Sequence, residues 1–245
     1  MVRTGPRRGL YTGRVRLILW DIDGTLVDTA GHGRDAFVSA FESVFHRPGE
    51  LGDLSMSGRT DHSIALELLE RNGVAEPERH LPSMFAALDR ALAARADAIG
   101  TDGRVMPGVR AVIGALAARE NVAQSLLTGN IERNAHVKLA ALGLDGLLDM
   151  EIGGYGSDSG IRPELVDIAR RKVAGLHGLH VEAAQIVLIG DTPLDVDAAH
   201  RNGARAVAVA TGRFDTDALR ATGADAVLDD LSDPDVAVAA ILGER

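Results

Sequence analysis

The chain has 245 residues, of which 46% are hydrophobic and 25% are charged, a composition typical of a globular protein with a real core. Its formal net charge of −9 argues against a nucleic-acid partner, and the absence of cysteine excludes disulfides and thiolate catalysis. No apolar window approaches the length of a membrane span, and no signal-peptide core follows the basic N-terminus. We therefore expect a cytoplasmic protein with no membrane partner.

The first recognisable element is a short apolar run, residues 15–20, that stops at Asp21. A run of this length, bounded by turn residues, predicts a buried parallel strand. Asp23, Gly24 and Thr25 follow at once, and ligands of open α/β sheets bind just beyond the carboxyl ends of such strands. Two carboxylates spaced i, i+2 at that edge can share one metal ion. An ordinary turn with two solvated aspartates would also have this pattern.

A long helical region then interrupts the alternation of strands and helices. Between Thr29 and Met106 apolar residues recur at helical spacing, and no convincing strand is present. The pattern there predicts helices around residues 36–45, 64–69 and 84–98. Further along, it predicts strands at 122–127, 148–152, 185–189, 206–210 and 225–228, and helices at 131–142, 163–173, 193–201 and after Pro234.

This order predicts an α/β fold, a doubly wound parallel sheet with helices on both faces and an inserted all-helical cap subdomain. We predict a flexible tail at residues 1–13, a core formed by residues 14–28 and 107–245, and a cap formed by residues 29–106.

Polar residues of complementary charge follow the predicted strands. Thr128 ends the second strand, Asp191 ends a later one with Asp195 one helical turn on, and Arg162 precedes a helix. Carboxylates gathered at one sheet edge repel by roughly 4 kcal/mol per pair at about 4 Å, unless protons are shared or a hard cation binds. Oxygen ligands without cysteine or histidine favour Mg²⁺ over zinc. The alternative is a set of separate acidic loops, each capping its own helix.

Taken in order, these segments resemble the four motifs of the haloacid dehalogenase superfamily, in its phosphoglycolate-phosphatase-like branch with a helical cap. The resemblance extends from Val15 onward. It rests on Asp-Ile-Asp-Gly-Thr-Leu at 21–26, Leu-Thr-Gly-Asn at 127–130, Arg-Pro at 162–163 and Gly-Asp-Thr-Pro-Leu-Asp at 190–195.

The resemblance implies a two-step phosphoryl transfer, with a Rossmann-like core carrying the catalytic groups. Asp21 would form an aspartyl phosphate, and Asp23 would protonate the leaving alkoxide and then deprotonate the attacking water. Thr128 and Arg162 would bind the transferring phosphoryl group. The predicted substrate-binding residues are Gly24, Thr25, Arg59, Thr60, Gly129 and Asn130.

The resemblance also implies a Mg²⁺ site. Asp191 would ligate the ion together with the Asp21 carboxylate and the Asp23 backbone carbonyl, and Asp195 would orient that set of ligands. The family usually has lysine where this chain has Arg162. Arginine keeps the charge and can bind phosphate with two hydrogen bonds, so we expect activity to be retained, with Lys172 as the fallback cation.

Two related reactions are disfavoured by single residues. Dehalogenases of this fold lack an acid at the Asp23 position, because a halide leaves without a proton. Relatives that cleave phosphonates use a cap lysine, whereas the lysines of this chain, Lys138 and Lys172, lie outside the predicted cap.

The sequence thus predicts a Mg²⁺-dependent phosphatase, monomeric or homodimeric, acting on a small phosphomonoester such as phosphoglycolate or a sugar phosphate. Arg59 is a hypothetical contact for an anionic substrate. Alternatively, Thr60 or Asp61 is the N-cap residue of a helix in the cap subdomain, and Arg59 is solvated. A sugar phosphomutase resembling β-phosphoglucomutase and a non-catalytic phospho-ligand-binding protein stay open as alternatives.

Overall fold

The computed structural model describes residues 15–244, so the predicted tail at 1–13 lies outside the described residues. The strands of the described part are β1 (Arg16–Trp20), β2 (Val27–Asp28), β3 (Arg104–Val105), β4 (Val122–Thr128), β5 (Gly154–Tyr155), β6 (Ile186–Gly190), β7 (Arg205–Val209) and β8 (Ala226–Leu228).

Helices account for most of the remaining described chain. They are α1 (His32–Phe45), α2 (Asp61–Arg71), α3 (Leu81–Ala93), α4 (Ala96–Asp102), α5 (Val109–Ala117), α6 (Glu132–Ala141), α7 (Glu164–His177), α8 (Pro193–Arg201), α9 (Thr216–Ala221) and α10 (Pro234–Leu242). Short 3₁₀ turns occur at Pro77–His80, Met150–Ile152 and Ala183–Gln185.

The central sheet has six parallel strands in the order β5-β4-β1-β6-β7-β8. Its middle strand, β1, is buried on both faces, because Ile18 and Trp20 pack into one apolar cluster while Leu17 and Leu19 pack into the other. The order of strands along the sheet reverses between β1 and β6, and the crevice at such a reversal is where doubly wound sheets bind ligands. The predicted fold class is confirmed.

The cap consists of α1 to α4, and a third apolar cluster fills its interior. Phe37, Phe41, Leu68 and Met84 are among the buried residues of that cluster. The chain enters the cap through β2 and leaves it through β3, and these two strands pair antiparallel with Val27 opposite Val105. A two-stranded connection therefore lies between the cap helices and the sheet.

Several predicted elements were wrong in detail. The predicted strand at 148–152 is instead a 3₁₀ turn at Met150–Ile152, because the Asp149 side chain accepts a hydrogen bond from the Glu151 amide and starts the turn. The predicted helix at 84–98 is divided into α3 and α4, and β3 lies in a region where no strand was expected. Helices α5 and α9 were not predicted.

Within residues 15–244, no helix combines the length and the apolarity that a membrane crossing requires.

The cap contacts the core through the N-terminus of α2. The Asp61 amide donates to the Gly129 carbonyl over 2.7 Å, and the Asp61 carboxylate accepts from the Ile131 amide at 2.8 Å. Ile131 precedes α6 and cannot cap this helix with its own side chain. A carboxylate from the cap therefore satisfies the first turn of a core helix, the place where acidic groups stabilise helices.

Burial of this carboxylate changes its acidity. Asp61 is 5% exposed, and desolvation raises its pKa to about 6, although Lys138 and the Ile131 amide oppose the rise. The folded protein therefore holds this proton at pH values where an unfolded chain has already released it.

We expect Asp61 to make the stability of the protein fall as the pH rises from about 4 to about 6. Between its unfolded and folded pKa values the folded state binds more protons, so ionisation costs stability on the order of 3 kcal/mol for a shift of roughly two units. Asp61→Asn removes the titrating group, so the free energy of unfolding in urea should depend less on pH over this range than it does in the wild type.

The exposed Asp217 provides the control, because its side chain is 92% exposed. Asp217→Asn should keep the wild-type pH dependence. An Asp61→Asn protein with the wild-type slope would show that the buried carboxylate does not carry this effect.

Candidate active site

A cavity of about 520 Å³ lies between the carboxyl edge of the sheet and the cap. The predicted site residues that line it are Asp21, Asp23, Gly24, Arg59, Thr128, Gly129, Asn130, Arg162 and Asp191. Of the others, Thr25 and Asp195 contact lining residues from behind, and Thr60 caps α2. The fold therefore brings residues from four separate motifs to one cavity.

Asp21 is buried at the end of β1 and is paired with Arg162. The Arg162 guanidinium is 2.9 Å from Asp21 Oδ1 and also donates to Asp195 Oδ1. Arg162 is itself 6% exposed, and Pro163 directly after it is the N-cap residue of α7. The guanidinium thus lies in a fork between two buried carboxylates, where its fixed planar donors can serve both.

Lys172, the fallback cation, lies elsewhere. Its Nζ donates to the Gly153 carbonyl at 2.8 Å and to Asp158 at 2.7 Å. The same ammonium sits 5.1 Å from the centre of the Tyr155 ring. Of the two candidate cations, Arg162 is the one beside Asp21.

Asp21, Asp191 and Asp195 form a compact acidic cluster. Among residues 15–244, one carboxylate oxygen from each lies within 4.8 Å of the others. Burial raises the pKa of Asp21, an effect that Arg162 opposes and Asp195 reinforces. Burial, followed by the charges of Asp21 and Asp195, likewise raises the pKa of Asp191. The idea that these acidic loops are separate is therefore wrong.

The members of the cluster differ in their hydrogen bonds. Asp195 receives Arg162 on one oxygen and the Thr192 amide and hydroxyl on the other, at 3.0 and 2.7 Å. Asp191 accepts from the Thr25 hydroxyl at 3.3 Å. A Cβ on Gly24 would lie 2.5 Å from an Asp191 oxygen, so glycine is required at that position. Asp191 thus lies against the backbone at Gly24, whereas both oxygens of Asp195 already accept hydrogen bonds.

This donor set fits a hard divalent cation. All the ligand atoms are oxygens, and the three carboxylates of the cluster carry more negative charge than Arg162 alone can balance. A divalent ion between Asp21 and Asp191 would stabilise the ionised carboxylates against the burial that raises both pKa values. Asp195, occupied by Arg162 and Thr192, is suited to orienting this site rather than to binding the ion.

Asp23 points into the cavity with 45% of its side chain exposed. Asn130 Nδ2 donates to Asp23 Oδ2 at 2.8 Å, and the ammonium of Lys138 lies 2.6 and 2.8 Å from its two oxygens. Asn130 also donates to the Thr128 hydroxyl oxygen through its side chain and its amide. The Thr128 hydroxyl therefore accepts twice from Asn130, and its own proton remains available to a ligand.

Lys138 lines the cavity but is not among the predicted site residues. It lies outside the predicted cap, yet its side chain is buried on α6 and reaches Asp23. A signal was present, because Asn134 and Lys138 are four residues apart. That spacing sets two polar side chains on one face of α6, where a soluble helix would be expected to bury apolar ones.

For the loop before α2, one prediction was that Thr60 or Asp61 caps the helix and that Arg59 is solvated. The structure agrees with this prediction only in part. Thr60 caps α2 by accepting from the Ser63 amide at 3.2 Å, whereas Asp61 caps α6 instead. Arg59 is not solvated but forms an ion pair with Glu67 and donates to the Ser63 carbonyl at 2.9 Å. Gly129 allows this loop to approach, because a Cβ there would lie 2.7 Å from the Thr60 Cα.

Comparison with known proteins gives relatives of this architecture. A protein from Cupriavidus necator named "Phosphoglycolate phosphatase, plasmid" is 31% identical to this chain over 215 residues. The match covers 87% of this chain and 89% of that protein. A phosphoglycolate phosphatase from Rhodospirillum rubrum is 29% identical over 226 residues, covering 89% and 88% of the two chains.

A solved structure shares the fold at lower identity. The β-phosphoglucomutase of Clostridium difficile superposes with a TM-score of 0.64 at 17% identity, covering 89% of this chain and 92% of that one. The family model described as haloacid dehalogenase-like hydrolase matches residues 18–200. Since this match spans most of the sequence, and a relative above 30% identity covers nearly all of it, the chain belongs to the haloacid dehalogenase-like hydrolase family.

Proposed function

We propose that this protein is a Mg²⁺-dependent phosphatase that hydrolyses a small organic phosphomonoester through an aspartyl phosphate on Asp21. The observation that carries the proposal is the pairing of buried Asp21 with Arg162 beside a cavity into which Asp23 projects. Phosphoglycolate is the first candidate substrate, because two relatives that match along most of this chain bear the name phosphoglycolate phosphatase.

In the first step an Asp21 oxygen attacks phosphorus and the bond from phosphorus to the ester oxygen breaks. Asp23 gives its proton to that leaving oxygen, which departs as a neutral alcohol. The position of Asp23 supports this role, since its carboxyl lines the same cavity as Asp21 and Arg162.

In the second step water attacks the phosphorus of the aspartyl phosphate. The Asp23 carboxylate takes a proton from this water, and the bond from phosphorus to Asp21 breaks, which restores the enzyme and releases inorganic phosphate. The Thr128 hydroxyl and the Arg162 guanidinium would donate to the phosphoryl oxygens during both steps.

The Asp21 carboxylate, the Asp191 carboxylate and the Asp23 backbone carbonyl would hold Mg²⁺. When bound, the ion supplies positive charge that lets a carboxylate approach a phosphate dianion. Thr25 and Gly24 keep Asp191 in place for this purpose. Asp195 fixes Arg162 and the first turn of α8 around the same point.

Replacement of the nucleophile tests the mechanism. Asp21→Asn should lower the release of phosphate from phosphoglycolate by at least about 10³-fold, because the amide cannot form the covalent intermediate. A chelator should abolish release by the wild type, and added Mg²⁺ should restore it. Release of phosphate by Asp21→Asn at the wild-type rate would contradict the proposal, and transfer to a second sugar hydroxyl instead of water would indicate a phosphomutase.

Replacement of Arg162 tests the cation beside Asp21. Arg162→Met should lower kcat by about 10²- to 10³-fold through lost charge on the phosphoryl oxygens, and should destabilise the fold by about 3–5 kcal/mol because two buried carboxylates lose their partner. Arg162→Lys should recover part of both losses. Lys172→Met is the matched control and should keep wild-type kcat; if it loses activity as Arg162→Met does, the assignment of Arg162 is wrong.

Replacement of Arg59 tests the cap contact with substrate. Arg59→Ala should raise KM by about tenfold for esters that carry a second anionic group, since one charge-assisted hydrogen bond is worth about 1.5–3 kcal/mol. Esters that carry no second anionic group should keep their KM. Glu67→Gln, which frees Arg59 from its ion pair, is the companion variant, and equal KM changes for both ester types would argue against this contact.

A further inference from the structure

Lys138 is a buried cation at the active site that no step of the proposed hydrolysis uses. It lies on α6 with 7% of its side chain exposed. A Cβ on Gly33 of the cap helix α1 would lie 3.5 Å from its Nζ, so the cap covers the ammonium. A charge buried in this way is costly unless it is paired and hydrogen-bonded.

The hydrogen bonds of Lys138 are directed at one functional group. Its ammonium donates to both oxygens of Asp23, at 2.8 and 2.6 Å, and to Asn130 Oδ1 at 2.7 Å. An ammonium has three N–H donors, and these three acceptors use them. Lys138 therefore has no donor left for the phosphoryl group, whose expected attachment point, Asp21, is paired with Arg162.

Asp23 depends on these contacts for its orientation. Its side chain is 45% exposed, and a carboxylate exposed to that degree can rotate among several positions. Asn130 fixes one oxygen and Lys138 holds both, while Asn130 is itself tied to the Thr128 hydroxyl at 2.7 Å. The group that would transfer protons is therefore held by two side chains, one from the loop before α6 and one from the second turn of α6.

We propose that Lys138 is a positioning residue that holds the Asp23 carboxylate toward the reacting oxygens. Asn130 contributes by hydrogen bonding to both Asp23 and Lys138. This inference rests on the function proposed above. It follows that removal of the ammonium impairs the proton transfers to the leaving oxygen and from water, and leaves the attack of Asp21 on phosphorus unaffected where the leaving group needs no proton.

The choice of leaving group distinguishes the attack of Asp21 on phosphorus from the steps that transfer a proton. With p-nitrophenyl phosphate the leaving phenolate needs no proton, so the burst of p-nitrophenol reports attack by Asp21 alone, and steady-state release reports hydrolysis of the intermediate. In Lys138→Met the burst rate should stay within about threefold of wild type, while the steady-state rate and kcat for phosphoglycolate fall by about 30- to 100-fold, within the range of general acid–base catalysis. KM for phosphoglycolate should change by less than about threefold, since both steps slow and uniform binding is retained.

Lys172→Met is the matched control, as the chain has only two lysines, and it should behave as wild type. A burst that slows as much as the steady state would overturn the proposal, because Lys138 would then act on phosphorus or on the fold. Unchanged rates in Lys138→Met would overturn it equally.

A double-mutant cycle tests whether Lys138 acts through Asp23. Asp23→Asn combined with Lys138→Met should be no slower than Asp23→Asn alone within about threefold, because the positioned group is already gone. Losses that multiply would overturn the proposal, since they would mean that Lys138 has a separate partner in the reaction.

The position of Asp23 provides a readout that does not depend on turnover. In crystals of Lys138→Met, and of Lys138→Gln as a second variant, the Asp23 carboxylate should leave its wild-type position, whereas in Lys172→Met it should not. A carboxylate that stays in place overturns the proposal. If the wild type released phosphate from neither ester, the proposed function would fail, and this comparison would still decide the role of Lys138.

Discussion

The arrangement of the site depends on the burial of three carboxylates at one edge of the sheet. Asp21 and Asp191 come from the ends of β1 and β6, the two strands between which the strand order reverses, and Asp195 follows on α8. Arg162 lies between Asp21 and Asp195 as the cation that makes this burial tolerable. The negative charge that Arg162 leaves uncompensated is what makes the edge a suitable place for a divalent ion.

Helix α6 links the cap to this edge. Its first turn is capped by Asp61 of the cap, and its buried polar face carries Asn134 toward Asp61 and Lys138 toward Asp23. Docking of the cap and orientation of the exposed carboxylate therefore involve the same helix. The contact is close because Gly129 has no side chain at the point where the cap backbone meets the core.

Secondary structure was predicted correctly where the apolar pattern of the sequence is strong. The prediction failed where a single polar contact decides which element forms. The buried strand β6 and the helix α8 were predicted almost to the residue, because continuous apolar runs and a proline at a first turn are local signals. The strand predicted at 148–152 was wrong, since the apolar residues there belong to a turn that Asp149 starts, and the strand that pairs with β4 is β5, at Gly154–Tyr155. That pairing involves residues far apart in sequence.

The sequence by itself determined the fold class and the segments that form the site, because residues at the end of a buried strand have their place set by the strand. Only the tertiary structure decided which cation meets Asp21, whether Arg59 is free, and that Lys138 holds Asp23. Arg59 pairs with Glu67 on the helix that directly follows it. Arg162 and Lys138 are long side chains on elements remote in sequence from their partners. Their contacts depend on how helices pack against the sheet, which the spacing of residues along one chain does not specify.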